Sequence, residues 1–487
     1  MTLPDPHASR SHYSPDRRTA LVLTGTGIDG AYHAGALHAL TEAGVRVDLV
    51  AGRGVGAVGA LFAAIDGGAR LWEKGGLWRR ALQQSLYPWR PAYRHVANGL
   101  AIAALLLVVP AVVLGLSLAA YQIALLADIA GPGTAQWLAD GWGRMLSALL
   151  APGALPTRLP QLVSAVLGIV VVAVLVAAWR AQRALPARRD QRGGPWWTVL
   201  ATPFSGAAMA DYFIGGLWDL LRGGANVRQP ARSDLSRRYA ELLADNLGQP
   251  GFRELLVVAH DIDARHDVVF ALLEPNARRA FFSRASAAAL ERRSSEAVDL
   301  AGAARDVLLD ALAGALAVPG ITDAPFVAFA PESYWRGETH RLSDRPASLL
   351  RVLEEVAHAG ARQVIVVTAA SGAAGPHELA TRRVHPRARL GEFLSSAEAA
   401  SVRDAVRTAS PWFDQLFVIR PAHNPVSALD AGGAYDAQSD RWQTVGELVD
   451  RGYEDAYRQF IDPVVGASGD ELVANPGSDA VKGIPTA

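Results

Sequence analysis

The sequence predicts an α/β fold with a mostly parallel sheet, interrupted by a helical pair of membrane-spanning character. Three observations predict it. Short apolar strands alternate with alanine-rich helical stretches, glycine-rich turns sit at the strand-to-helix junctions, and two long uncharged runs break the pattern. The 487 residues are 50% apolar and 19% charged, with no cysteine. Such a chain can bury a large core, which excludes global disorder. Missing cysteine excludes disulfides, thiolate metal sites and cysteine nucleophiles. Basic and acidic residues balance at 47 each, which argues against nucleic acid as a partner. A mean hydropathy of +0.14 points to a membrane component.

The elements follow in order. Residues 1–18, MTLPDPHASRSHYSPDRR, have no apolar core and read as a disordered tail, not a signal peptide. Ala20–Thr24 is a strand, a helix follows around 31–43, Val45–Val50 is the next strand, and a further helix opens near Ala57. These form the first part of the soluble domain, 19–90. Val96–Ala127 and Leu159–Trp179 then contain no charged residue. A helix needs about 20 apolar residues to cross the hydrocarbon. The two runs predict a hairpin over 91–182 with spans at about 97–122, kinked at Pro110, and 160–180. Arg79, Arg80, Arg90 and Arg94 precede it, and Arg180, Arg183, Arg188, Arg189 and Arg192 follow. Only Arg144 and Arg158 lie between the spans, so both flanks are expected in the cytoplasm. Trp137 and Trp142 mark an interfacial helix in the linker, and Trp196, Trp197 and Trp218 an aromatic belt.

The second part is expected over 195–465. It has a helix at 232–247 and paired strands Leu255–His260 and Asp267–Leu273. Helices follow through much of 277–317, then a short strand Phe326–Phe329 and a helix Ala347–Ala359. Strands Gln363–Thr368 and Gln415–Ile419 and a helix near 442–459 complete it. Residues 466–487 read as a disordered tail. His260, Asp261, Asp263, His266 and Asp267 are metal-ligating types, but on a hairpin turn they read as turn formers. No metal and no cofactor is assigned.

Two glycine-rich turns carry the functional reading. Gly25-Thr26-Gly27-Ile28-Asp29-Gly30 fits G-x-G-x-x-G between strand and helix. It suits a pyrophosphate at a helix N-terminus, an oxyanion hole, or a structural turn. A dinucleotide site wants an acidic residue ending the next strand, where Arg53 stands; Asp48 lies inside that strand. Gly52-Arg53-Gly54-Val55-Gly56 has the strand–turn–helix layout of a nucleophile elbow, G-x-S-x-G, with Gly54 in the serine's place.

The segment LVLTGTGIDGAYHAGALHALTEAGVRVDLVAGRGVGAVGALFAA resembles the patatin-like phospholipase family. FRELLVVAHDIDARHDVVFALL, ALAGALAVPGITDAPFVAF and SDRPASLLRVLEEVAHAGARQVIVVTAA are similar to later segments of that family, in the same order. The resemblance implies a three-layer αβα sandwich, an oxyanion loop at Gly25, Thr26, Gly27, Ile28 and Gly30, and a serine–aspartate dyad for lipid acyl hydrolysis. This chain departs from the dyad at both places. Gly54 has no side chain, and the aspartate position falls near Thr339, in a stretch without Asp-Gly. Asp430-Ala431-Gly432-Gly433 is a look-alike in the wrong order. Asp29 stands where the family usually has a basic residue.

Three functions stay open at this point. The first is a catalytically impaired, membrane-anchored relative that binds lipid or a protein partner at the cytoplasmic face. The second is an active acyl hydrolase using Thr24, Thr26, Ser343 or Ser371 with Asp344 or Asp430. The third is a nucleotide-binding membrane protein using the G-x-G-x-x-G turn.

Overall fold

The structure, a computed structural model, describes residues 13–80, 86–128, 133–149, 151–153, 155–184, 202–283, 295–373 and 385–466. It divides into two compact units, one formed by 1–88 with 206–487 and the other by 89–205.

The first unit is a mixed α/β fold around a mostly parallel sheet. Its strands are β1 (Thr19–Gly25), β2 (Leu49–Gly54), β3 (Glu254–Asp261), β4 (His266–Leu272), β5 (Ser295–Asp299), β6 (Phe326–Ala328), β7 (Thr339–Ser343), β8 (Gln363–Thr368) and β9 (Gln415–Ile419). The main order is β5-β4-β3-β2-β1-β8-β9. Strands β3, β2, β1, β8 and β9 run parallel, β4 runs antiparallel to β3, and β7 joins β3 and β6 at the side. β1 lies between β2 and β8, so the chain leaves it to opposite sides. This is a topological switch point, where crevices form at the carboxyl ends of strands.

Alternation along the strands fills both faces. Ala20 and Val22 of β1, Leu49 and Ala51 of β2, and Val364 and Val366 of β8 share one core with Leu349, Val352, Leu353 and Val356. The opposite face is covered by the helices Gly30–Glu42 (α1) and Gly56–Ala64 (α2), and α1 packs in turn against Val445–Ala456. At about 25 cal/mol per Å² of apolar area, layers of this kind are the dominant folding term. A short antiparallel pair, Ala434–Asp436 (β10) with Arg441–Gln443 (β11), follows β9.

Several expectations are corrected. β2 ends at Gly54, not Val50, because its ladder with β1 continues to the Gly25–Gly54 pair. Ser295–Asp299 is a strand, not helix; it pairs with β4 and extends the sheet edge. Gln415–Ile419 is not the last strand. Thr339–Ser343 and a helix Pro386–Ala409 are elements the sequence did not suggest. Trp218 is 8% exposed in the helix Ala207–Arg222, a core position and not part of a belt. Trp196 and Trp197 lie outside the described residues, as do most of the expected tails (1–12 and 467–487). Packing begins upstream of Thr19: buried Tyr13 donates from its hydroxyl to the Arg46 carbonyl at 3.0 Å.

The second unit is helical, with Pro91–Asp128 (α5), Thr134–Leu149 (α6) and Leu155–Ala184 (α7); two short helical turns in the first unit, Ala69–Trp72 (α3) and Leu77–Arg80 (α4), precede them. α5 and α7 pack together, tightly enough at Gly99 that a Cβ there would lie 2.2 Å from Val170 Cγ2. Among the described residues one stretch, Gln161–Arg180, is long and apolar enough to cross a membrane.

Candidate functional site

The two glycine-rich turns meet at the carboxyl ends of β1 and β2. Gly54 closes β2 with φ +55°, the left-handed conformation of a strained elbow, and α2 begins two residues later. A glycine holds that conformation without strain. A Cβ at Gly54 would lie 2.1 Å from the Gly25 carbonyl oxygen and 2.9 Å from Asp344 Oδ2. The elbow backbone is kept, but neighbouring atoms occupy the space a side chain would use.

The family resemblance pointed to Thr339 for the aspartate. Thr339 starts β7 and pairs with Ala328. Asp344, the residue after β7, is the carboxylate that reaches Gly54. Asp344 Oδ2 accepts from Thr26 Oγ1 at 2.8 Å, and Oδ1 accepts from the Arg345 amide at 2.8 Å and from Arg53 Nη1 at 2.5 Å. Arg53 is fully buried. Its other Nη donates to Glu398 of the helix Pro386–Ala409, and its Nε donates to Thr24 Oγ1 at 2.9 Å. Thr24 Oγ1 in turn donates to Glu398 Oε1 at 2.7 Å. Burial alone would pull the Arg53 guanidinium down; the Asp344 and Glu398 carboxylates override that and raise it. The result is one buried cation shared by two carboxylates.

Several amides in and beside the Gly25–Gly30 loop have internal partners. The Thr26 amide donates to Asp29 Oδ2 at 2.9 Å, and the Ile28 amide to the Ala428 carbonyl at 2.9 Å. The Val55 amide, in the place where a nucleophile elbow would have an oxyanion donor, donates to the Gly25 carbonyl at 2.9 Å. Gly27 takes φ +64°, and a Cβ there would lie 1.9 Å from the Ala428 oxygen, so the loop around Ala428 sits directly on it. Asp29 is 3% exposed; burial pushes its carboxyl up to about 7, with the Glu398 charge adding to the effect and the Thr26 amide opposing it. His33, under the loop, is pushed down to about 4 by burial and faces the Thr24 carbonyl at 3.0 Å.

The other candidates are dispersed. Ser343 is buried in the ladder opposite His260, and Asp430 accepts from Ser427 Oγ at 2.6 Å in a local turn. Neither Ser343 nor Ser371 is placed against Asp344 by a hydrogen bond among the described residues. Asp48 precedes β2 at the far end of the sheet and accepts from the Thr19 amide at 2.8 Å, so it is remote from a pyrophosphate at Gly27. The histidines of the β3–β4 turn are engaged. His260 Nδ1 pairs with Asp267 Oδ1 at 2.9 Å and His340 Nδ1 with Asp261 Oδ2 at 2.5 Å. Among the described residues no group of three or more such side chains is placed to hold a metal ion. Glu398 and the Ala428 carbonyl went unnoticed in the sequence, since a lone glutamate and a backbone oxygen leave no local pattern.

A glycine-rich loop and a left-handed turn thus meet at the switch point of the sheet. Residues 21–161 match the family described as patatin-like phospholipase. Patatin-like phospholipase domain-containing protein 6 of Mus musculus is 43% identical over 70 residues, covering 14% of this chain and 5% of the relative. The Homo sapiens protein of that name matches with the same identity and coverage. The chain therefore spans about 5% of the length of the curated relatives it matches. Among solved structures, VipD from Legionella pneumophila aligns over 93% of this chain and 67% of its own at 12% identity, with a TM-score of 0.27 that carries no argument.

Proposed function

We propose that this protein is a membrane-anchored relative of lipid acyl hydrolases that does not cleave esters at its elbow and binds lipid at the cytoplasmic face. One observation carries the first half: the elbow centre is a glycine whose missing side chain is replaced by the Gly25 carbonyl, 2.1 Å from the Cβ position. Without a nucleophile, and with the Val55 and Ile28 amides already engaged, an acyl group has neither an attacking atom nor a vacant pair of donors. The uncharged runs, the apolar stretch Gln161–Arg180 and the arginine distribution support a two-span hairpin with both halves of the patatin-like domain in the cytoplasm. Purified full-length protein should leave short- and long-chain fluorogenic acyl esters intact. It should also stay in the membrane pellet through alkaline carbonate extraction. Ester turnover, or release by carbonate, overturns the corresponding half.

A second reading has one observation in its favour. Thr26 Oγ1 and Asp344 Oδ2 form a buried hydroxyl–carboxylate couple at 2.8 Å beside the loop. Against it, Asp344 is also held by Arg53, and Thr26 is 4% exposed. Turnover abolished by both Thr26→Val and Asp344→Asn would establish this couple as catalytic.

A further inference from the structure

The second unit carries a groove of about 720 Å³ along one flank of α7, with the first turns of α5 as its other wall. Its floor is apolar, formed by Ala165, Ile169, Val172 and Val176, and its mouth holds His95 and Arg180. Ile169 is 68% exposed, one of many large apolar side chains left uncovered on these helices, as a surface facing acyl chains would be. The chemistry at the mouth has one sign. Arg94 immediately precedes His95 in sequence, and neither Trp89–Ala127 nor Leu155–Arg189 contains an acidic residue. The one carboxylate on these two helices, Asp128, stands at the far end of α5 from His95.

We infer that this groove is a site for an anionic phospholipid, with one acyl chain along the α7 flank and the headgroup phosphate between Arg180 and His95. The inference rests on the membrane-spanning reading above and deepens it. An acyl chain matches the Ala165–Val176 floor, and a phosphate at the mouth meets cationic donors at the level where arginines mark the cytoplasmic interface. A zwitterionic lipid offers the same chain but adds its own cation at the mouth, so the groove discriminates by net headgroup charge. A soluble phosphate ester lacks the chain and forgoes the apolar floor.

The test uses the full chain reconstituted in phosphatidylcholine nanodiscs containing phosphatidylglycerol, with retained lipid read by native mass spectrometry. Phosphatidylglycerol should be enriched over its bulk share. Arg180→Gln should reduce that enrichment about fivefold, the effect of one cation near a membrane surface. Arg144→Gln, in α6, should leave it unchanged. Excess inorganic phosphate should not displace the lipid; displacement would mean a phosphate site without a chain site and overturns the inference. Equal retention of both lipids, or no change in Arg180→Gln, overturns it while leaving the anchor in place. Protein released by alkaline carbonate fails the spanning reading and this inference together.

Discussion

Arg53 and Arg180 are both arginines in an apolar setting, and the molecule treats them in opposite ways. Arg53 is buried between Asp344 and Glu398, with Thr24 on its remaining edge. Arg180 lies exposed on a helix pair whose sequences hold no acidic residue from Trp89 to Ala127 or Leu155 to Arg189. The first cation is satisfied by the chain itself, so it stabilises a structure and leaves nothing for a ligand. Among the described residues no carboxylate pairs with the second. The contrast teaches that an arginine given two buried carboxylates becomes part of the core, while one left exposed stays available, which is the distinction the proposed function depends on.

The largest effect expected is on the buried side. Arg53→Met would strand Asp344 and Glu398 without their cation, and unfolding by urea should show a loss of about 3–5 kcal/mol. A loss below about 1 kcal/mol would mean the pair is not structural and would break the contrast.

Asp29 sharpens it next. Its folded carboxyl titrates near 7 and an unfolded one near 4. The folded state then holds the extra proton between these values, so stability falls as pH rises from about 4 to about 7 and levels off above. Asp29→Asn keeps an acceptor for the Thr26 amide and removes the titration. It should flatten that fall and stabilise the protein at pH 8 by up to about 4 kcal/mol, measured by denaturant melts across pH.

Gly54→Ser comes third. A Cβ close to the Gly25 carbonyl, in a left-handed conformation, should cost about 1–3 kcal/mol. It should bring no esterase activity, alone or with Thr339→Asp, since Thr339 lies at the start of β7 and Asp344 is already paired. Activity in either variant would show that the Gly25 carbonyl yields readily.

The smallest effect belongs to α7. Arg180→Gln should change thermal stability in detergent by less than about 0.5 kcal/mol, because an exposed side chain is lost. A larger loss would mean that Arg180 has a partner within the chain.

Much of this fold was legible because its signals are local. Within each of the apolar runs β1, β2, β3 and β8, and within each glycine-rich turn, the residues that carry the signal stand next to one another in sequence. The elbow was recognisable from Gly52, Gly54 and Gly56 alone. Strands β5 and β7 were not. Ser295–Asp299 has alternation too short to separate from helix, and Thr339–Ser343 is polar at most positions. The site's electrostatics were hidden for another reason: Arg53 finds Asp344 and Glu398 at separations of 291 and 345 residues. Asp344 was named among candidate carboxylates, but nothing in WRGETHRLSDRP shows that it, and not a residue near Thr339, lies over the elbow.

The pairing of β2 with β3 has a consequence for biosynthesis. β2 ends at Gly54 and its neighbour begins at Glu254, while β8 on the other side of β1 begins at Gln363. At ordinary synthesis rates the first strand pair waits roughly 10–40 seconds for the next strand to emerge. Throughout that interval its hydrogen-bonding edges are open to wrong partners. Whatever shelters a nascent β1–β2 ribbon on the ribosome decides how much of this protein is ever completed.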